Sequence, residues 1–226
     1  PLVHNDWLLV EVGAEQGNLM AFDKRSGKQL WASECKEPAG HSGAPVPMEV
    51  EGVPCVAVLT VRNLHVARLD RGNEGRTVAL YEWTTDFANN IPTPAVNENL
   101  VAITSAYNRY AICLLEVSLT GAKKRWEHSL ASGVCSPVIY DGHVYWAWRG
   151  VHCLDLDNGK QLFSGGNVGT PGSCIITSDK RMIVLANSGD LMLVETASTG
   201  ADKFNVLAGK KKLFRSDAWP HAVLAD

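Results

Sequence analysis

No apolar run in this sequence approaches the roughly 20 residues that a helix needs to span a bilayer. Positive charge is not in excess: 21 Lys and Arg stand against 24 Asp and Glu, for a formal net charge of -3. Nucleic-acid footprints and polybasic membrane surfaces need concentrated positive charge, so neither partner is indicated. The six cysteines (Cys35, Cys55, Cys113, Cys135, Cys153 and Cys174) include no adjacent pair, no CxxC and no CxxCH. That removes the zinc-ribbon and c-type haem readings. In an oxidising compartment the six could make three disulfides, but their scattered strand positions fit small buried side chains better. Pro1 opens the chain without a leader-type pattern, which says nothing about where the protein acts. No segment has a convincing helical pattern, and strands do not alternate with helices.

What the sequence does have is a repeat. Its 226 residues, 46% hydrophobic and 20% charged, are ample for a globular core. The run Ala21-Phe22-Asp23-Lys24-Arg25-Ser26-Gly27-Lys28-Gln29-Leu30-Trp31 reads as strand, turn, strand. It returns from Cys153 through Asp155 and Gly159 to Phe163, and again from Val194 through Gly200 to Phe204. In all three the glycine is the seventh residue and the aromatic the eleventh. Two looser copies end at Trp126, after Thr120-Gly121, and at Trp83, after an insert over Arg71–Arg76. The closing aromatics recur about every 40 residues, the length of a four-stranded propeller blade.

Each part has a physical reason. Glycine supplies the positive φ of a tight hairpin turn. The Asp or Ser before it hydrogen-bonds the turn backbone. The periodic ring is placed to pack between neighbouring blades, where its burial is worth about 2–3 kcal/mol. A second landmark opens the repeats: Pro1-Leu2-Val3, Ala44-Pro45-Val46, Thr93-Pro94-Ala95-Val96, Ser136-Pro137-Val138-Ile139 and Gly172-Ser173-Cys174-Ile175. Proline is tolerated at the first residue of a strand. Short strands follow at Trp7–Val12, Cys55–Thr60, Leu100–Ser105, His143–Trp148 and Arg181–Ala186, the pattern of an all-β chain.

The run from Ala21 to Trp31 resembles the tryptophan-docking motif of the pyrroloquinoline-quinone-like (quinoprotein alcohol dehydrogenase-like) β-propeller repeat family, with Ser26 where that motif usually has threonine. WD-type and kelch propellers fit worse, for lack of a repeated Trp-Asp ending or Gly-Gly. The resemblance implies an all-β propeller of four-stranded blades. About five are expected here, at about 1–33, 44–85, 92–128, 136–165 and 172–207, in a single propeller domain or fragment spanning 1–226. The start of a sixth repeat is expected at 216–226, which reads as an incomplete part of a seven- or eight-bladed propeller. The structural docking residues are then Gly27, Trp31, Trp83, Trp126, Gly159, Phe163, Gly200 and Phe204.

Enzymes of this family hold the quinone beside calcium, with two adjacent cysteines, a calcium-binding carboxylate and a catalytic aspartate. No Cys-Cys pair stands in this chain and no carboxylate matches that context, so no catalytic residue carries over. The expected function is a non-catalytic scaffold in the cell envelope, periplasmic or otherwise exported, with no cofactor. It would hold a protein partner or a small ligand at the channel mouth, and open propeller edges offer a further route of association. The alternative is a fragment of a quinoprotein dehydrogenase needing pyrroloquinoline quinone and calcium. Function on a propeller sits where loops converge, so ligand binding is expected from the inter-blade loops at His41, Asn90, Ser132, Thr170 and Asp217. His143, His152 and Cys153 lack further ligands at a metal-site spacing. Asp155 and Asp157 bracket a turn rather than form a catalytic pair, and Trp146 and Trp148 share one strand face by period two.

Overall fold

The computed structural model describes residues 1–41, 43–214, 217–219 and 221–225. They form five antiparallel sheets taken up one after another along the chain. The first sheet is β1 (Leu2–His4), β2 (Trp7–Ala14), β3 (Gly17–Asp23) and β4 (Gln29–Ala32). The second is β5 (Val46–Val50), β6 (Val53–Leu59), β7 (Asn63–Arg68) and β8 (Thr77–Glu82). The third is β9 (Ala95–Asn97), β10 (Leu100–Tyr107), β11 (Arg109–Ser118) and β12 (Gly121–His128). The fourth has β13 (Val138–Tyr140), β14 (His143–Asp155) and β15 (Gln161–Gly169). The fifth has β16 (Ser173–Ile176), β17 (Arg181–Leu185), β18 (Leu191–Glu195) and β19 (Val206–Lys210). Each strand pairs only with its sequence neighbours, as in an up-and-down blade.

The fourth sheet departs from the others only in name. An extended strand as long as β14 would hold its ends some 40 Å apart. Yet the Leu156 N–H donates to Gly142 O at 2.9 Å, and the Trp146 and His152 rings stack with centroids 4.8 Å apart. The strand therefore doubles back at Arg149–Gly150, where Arg149 has φ +62°. It supplies the two middle arms of a four-armed blade.

The sheets stack through their faces, and the cores lie between them. The first meets the second through Leu9, Leu19, Ala21, Val56, Ala67 and Leu69. A larger cluster, with Leu59, Leu64, Trp83, Ile103 and Leu115, joins the second and third. The largest joins the third, fourth and fifth, around Ile112, Leu114, Tyr145, Trp146 and Val184. The first strands β5, β9, β13 and β16 are consecutive neighbours. They mark the inner side of the arc, so the described residues form five consecutive blades of a β-propeller, as in an incomplete ring. Within the 216–226 segment, the described residues 217–219 and 221–225 form no strand, and Ser216, Pro220 and Asp226 lie outside the described residues.

Candidate functional site at the channel mouth

The loops that leave one sheet and enter the next gather on one side of the propeller, together with the hairpins β2–β3, β6–β7 and β10–β11. Polar side chains hold the loops that follow the first three sheets. Asn18 Nδ2 donates to Glu37 O at 2.9 Å and to Pro38 O at 3.3 Å. The Gly40 N–H donates to Glu11 Oε1 at 2.9 Å. Burial raises the Glu11 carboxyl from 4.5 to about 7, against the hydrogen bonds from Gly40 and Asn18 that favour its charged form. Nearby, Glu37 accepts from Thr60 Oγ1 at 2.6 Å and from Asn63 Nδ2 at 2.7 Å. His65 lies fully buried on β7, and burial lowers it to about 4 although Glu37 and Glu34 pull it upward.

The expected loop residues fall into two groups. Asn90 is fully buried, and its Nδ2 donates to Thr60 O, Val61 O and Trp83 O at 2.9, 3.2 and 2.9 Å. Ser132 is also fully buried. Its Oγ donates to Cys135 O at 2.7 Å, and its N–H donates to Thr104 Oγ1 at 2.8 Å. Both side chains are committed to fastening loops to neighbouring hairpins. Thr170, before a cis peptide to Pro171, and Asp217 are exposed and stand apart from the cavity lining. His41 is exposed, its N–H bonded to Asn90 O at 3.0 Å, and its ring lines a central cavity.

That cavity measures about 460 Å³ and is lined by His41, Ile91, Thr93, Val134, Ser136, Trp219 and His221. Thus the loops that follow the first three sheets meet there with the segment that follows the fifth. Its floor is stitched around the axis: the Ala44 N–H donates to Thr93 Oγ1 at 3.0 Å, and the Thr93 N–H donates to Ser136 Oγ at 3.0 Å. Ala44, Thr93 and Ser136 each precede the proline that opens a first strand. Pairing begins only after that proline, so the preceding residue is free to reach sideways to the next sheet. The openers therefore mark inter-sheet hydrogen bonds as well as strand starts. The lining falls on the neighbours of the more polar residues Asn90 and Ser132; nothing in their loops tells which way each side chain turns.

The lining contains hydroxyls, imidazoles and apolar groups but no carboxylate. Calcium prefers a shell of carboxylate and carbonyl oxygens. The six cysteines are all unpaired and well separated in sequence. These residues do not fit a quinone–calcium centre. No group of three or more metal-ligating side chains occurs among the described residues. Among them, too, no helix is long and apolar enough to cross a membrane.

The docking residues are likewise placed. Trp126 donates Nε1–H to Leu156 O at 2.7 Å in the next sheet, and its ring lies against Gly159 so closely that a Cβ there would stand 2.7 Å from Trp126 Cδ2. Trp83 is fully buried beneath the Arg109 guanidinium, 3.7 Å from its ring centroid. Trp31 packs edge-on against Trp7 at 5.6 Å within its own sheet. Phe163 is buried in the large cluster, and Phe204 lies over Gly165 and Gly166 of the preceding sheet. Gly27 and Gly200, at φ +72° and +89°, face open space and serve their turns alone. Trp146 is fully buried, while Trp148 is partly buried and packs over Gly133.

Residues 1–165 match a family model described as outer membrane protein assembly factor BamB. Among solved structures, the crystal structure of BamB from Moraxella catarrhalis is similar with a TM-score of 0.64 at 14% identity, over 93% of this chain and 59% of that one. The computationally designed Ika8 protein is similar with a TM-score of 0.66 at 11% identity, over 96% of this chain and 62% of that one. The chain thus spans about three fifths of the length of the solved structures it matches. Curated protein sequences yield no match.

Proposed function

Because this chain belongs to the PQQ-like propeller family whose model is that of outer membrane protein assembly factor BamB, we propose that it is a non-catalytic scaffold that receives a segment of a partner protein at the channel mouth. The carrying observation is the cavity lined by Trp219, Val134, Ile91 and two histidines over a floor of hydroxyls. Its volume of about 460 Å³ suits a few side chains rather than a whole domain. An aromatic anchor such as Trp219 contributes most where it can be desolvated, and the surrounding hydroxyls and imidazoles can satisfy backbone groups of an extended segment. The family membership favours an exported protein that works in the cell envelope, and the lack of carboxylates in the cavity favours action without quinone or calcium.

The test is retention of envelope proteins and of synthetic extended peptides on the immobilised chain. Wild type is expected to retain a discrete set, and Trp219→Ala combined with Val134→Asp to weaken retention at least about tenfold. Equal retention by both would remove the cavity from the mechanism, and no retention by either would remove the scaffold reading. Titration with pyrroloquinoline quinone and calcium is expected to give no binding and no dye-linked alcohol oxidation; saturable binding with turnover would establish the dehydrogenase reading instead.

A further inference from the structure

A second cleft opens at the junction of the third and fourth sheets. It measures about 180 Å³, and its lining includes Tyr110, Leu130, Ala131, Trp148, Arg149 and His152. The loop after β12 reaches both sites: Leu130 and Ala131 line the cleft, while Val134 and Ser136 line the central cavity. Between them Gly133 lies against the Trp148 ring, where a Cβ would stand 2.7 Å from Trp148 Cη2. Trp146 fastens the cleft end of the loop by donating its Nε1–H to Ala131 O at 3.1 Å. Trp148 and Arg149 stand where β14 doubles back, and Arg149 pairs with Gly169 of β15. The Arg149 backbone is thus fixed while its side chain is exposed. Tyr110 is 59% exposed.

The charge of the cleft is one-sided. Arg149 makes no ion pair among the described residues, and no carboxylate lines the cleft. Glu127, at the end of β12, is already taken by Arg109 and Lys124 at 3.3 and 3.1 Å. His152 is stacked on Trp146, and its Nε2–H donates to Trp148 O at 3.1 Å. Burial lowers the His152 ring from its ordinary value, so at neutral pH it adds no charge and Arg149 is the one cation of the lining. The cleft therefore joins two aromatic rings to a free guanidinium, a planar group suited to pairing with a carboxylate. About 180 Å³ falls below the roughly 300–1,000 Å³ of small-molecule pockets and suits a single side chain. We propose that the cleft binds a partner-protein segment that carries an aromatic side chain beside an acidic one. The ring is received by Tyr110 and Trp148, and the carboxylate pairs with Arg149. That the occupant is a protein segment rests on the scaffold reading; the preference for an aryl group with a negative charge follows from the cleft itself.

The probe is a short capped peptide with phenylalanine followed by aspartate. It is titrated into the full chain and followed through the tryptophan indole N–H resonances, that of Trp148 being assigned with Trp148→Phe. Saturable shifts at Trp148 with a Kd of about 1 mM are expected, as suits one side-chain pocket. A peptide with lysine in place of the aspartate is expected to bind about fivefold more weakly. Arg149→Gly, which the positive φ accepts, is expected to abolish that preference, and Arg149→Glu to reverse it. Tyr110→Ala, at an exposed position, is expected to weaken both peptides alike, by about fivefold. Absence of saturable shifts at Trp148, or an aspartate preference that survives in Arg149→Gly, would overturn the proposal. So would equal affinity for free phenylacetate, because the segment would then contribute nothing. Trp219→Ala combined with Val134→Asp is expected to leave the Trp148 shifts unchanged. Loss of envelope-protein retention with the Trp148 response intact would thus count against the central cavity alone, and the opposite result against the cleft alone.

Discussion

The first and fourth sheets carry nearly the same turn, but only one of the two is docked. Asp23 Oδ1 accepts the N–H groups of Arg25 and Ser26 at 3.1 and 2.7 Å, and the Gly27 N–H returns to Asp23 O at 2.9 Å. Asp155 Oδ1 accepts from Asp157 and Asn158 at 3.0 and 3.0 Å, and the Gly159 N–H returns to Asp155 O at 3.0 Å. The glycines match as well, with φ of +72° and +71°. Their surroundings differ. Gly159 lies under the Trp126 ring, whereas Gly27 faces open space. The motif therefore encodes its own hairpin through contacts a few residues long, and docking is a separate property of the ring that the preceding sheet brings.

The interface between the first and second sheets shows what happens when that ring arrives but finds no turn to dock. The insert at Arg71–Arg76 is organised by Asp70, which takes a bidentate pair from Arg68 at 2.7 and 2.8 Å and an amide from Asn73 at 2.7 Å. The enlarged turn presents Gly75 to the backbone of Ala32 and Ser33, and the Glu34 N–H donates to Gly75 O at 2.9 Å. Backbone contact replaces aromatic docking, and Trp31 Nε1 is left without a hydrogen-bond partner. This junction also holds the half-buried Glu11 and the buried His65, whereas Trp126 and its neighbours make the junction of the third and fourth sheets mainly apolar.

The sharpest way to break this comparison is to remove the rings. Trp126→Ala is expected to cost about 3–5 kcal/mol in urea denaturation, with Trp31→Ala costing about half as much. Equal costs would mean that docking adds nothing to burial.

Next in size is pH. His65 favours the fold in its neutral form, with a folded value of about 4 against 6.5, so its contribution is present above pH 6.5 and is lost as pH falls toward 4. Glu11 has a folded value of about 7 against 4.5, so its contribution is present below pH 4.5 and is lost as pH rises through 7. Each limb spans up to about 3 kcal/mol, and the two nearly cancel. Wild type should therefore have little pH slope from this junction between about pH 4.5 and 6.5. His65→Asn should lose stability as pH rises through that window, and Glu11→Gln should gain it. Denaturation midpoints across the window check all three.

The smaller effects come from the matched glycines. Gly159→Ala is expected to cost about 2–3 kcal/mol, combining left-handed strain with displacement of the Trp126 ring. Gly27→Ala is expected to cost about 1 kcal/mol, from strain alone. In a Trp126→Ala background the two substitutions should cost the same, which a double-mutant cycle measures.

Much of this architecture is legible in the residues. Gly27, Gly159 and Gly200 mark hairpins because no other residue accepts their φ so cheaply, and the prolines at 45, 94 and 137 mark first strands because they cannot donate to a ladder. The reversal inside β14 is less legible: His143–Trp148 reads as one strand, but nothing in Arg149 announces a positive φ. The same is true of Glu51 and Glu98, at φ +51° and +54°, in turns between first and second strands. The channel mouth is where sequence reasoning runs shortest. Its loops are recognisable as loops, but Asn90 is held by the carbonyl of Thr60 and the Ser132 N–H by Thr104, on hairpins 30 and 28 positions away. A polar residue in a loop carries no sign of whether water or a distant carbonyl will satisfy it.

The stitches from Ala44 to Thr93 and from Thr93 to Ser136 join residues 49 and 43 positions apart, whereas each blade closes through hairpins a few residues long. Loop-closure entropy favours the hairpins first. The blades are therefore expected to form their hairpins before the inner ring is sewn, with the cavity completed after them. In hydrogen exchange, the amides of Ala44 and Thr93 would report the opening of one blade from the next, while amides within each hairpin would report the melting of the blade itself. The mouth of the channel is thus where loosening between blades would be felt, and the partner segment proposed to seat there would hold together sheets that it never touches.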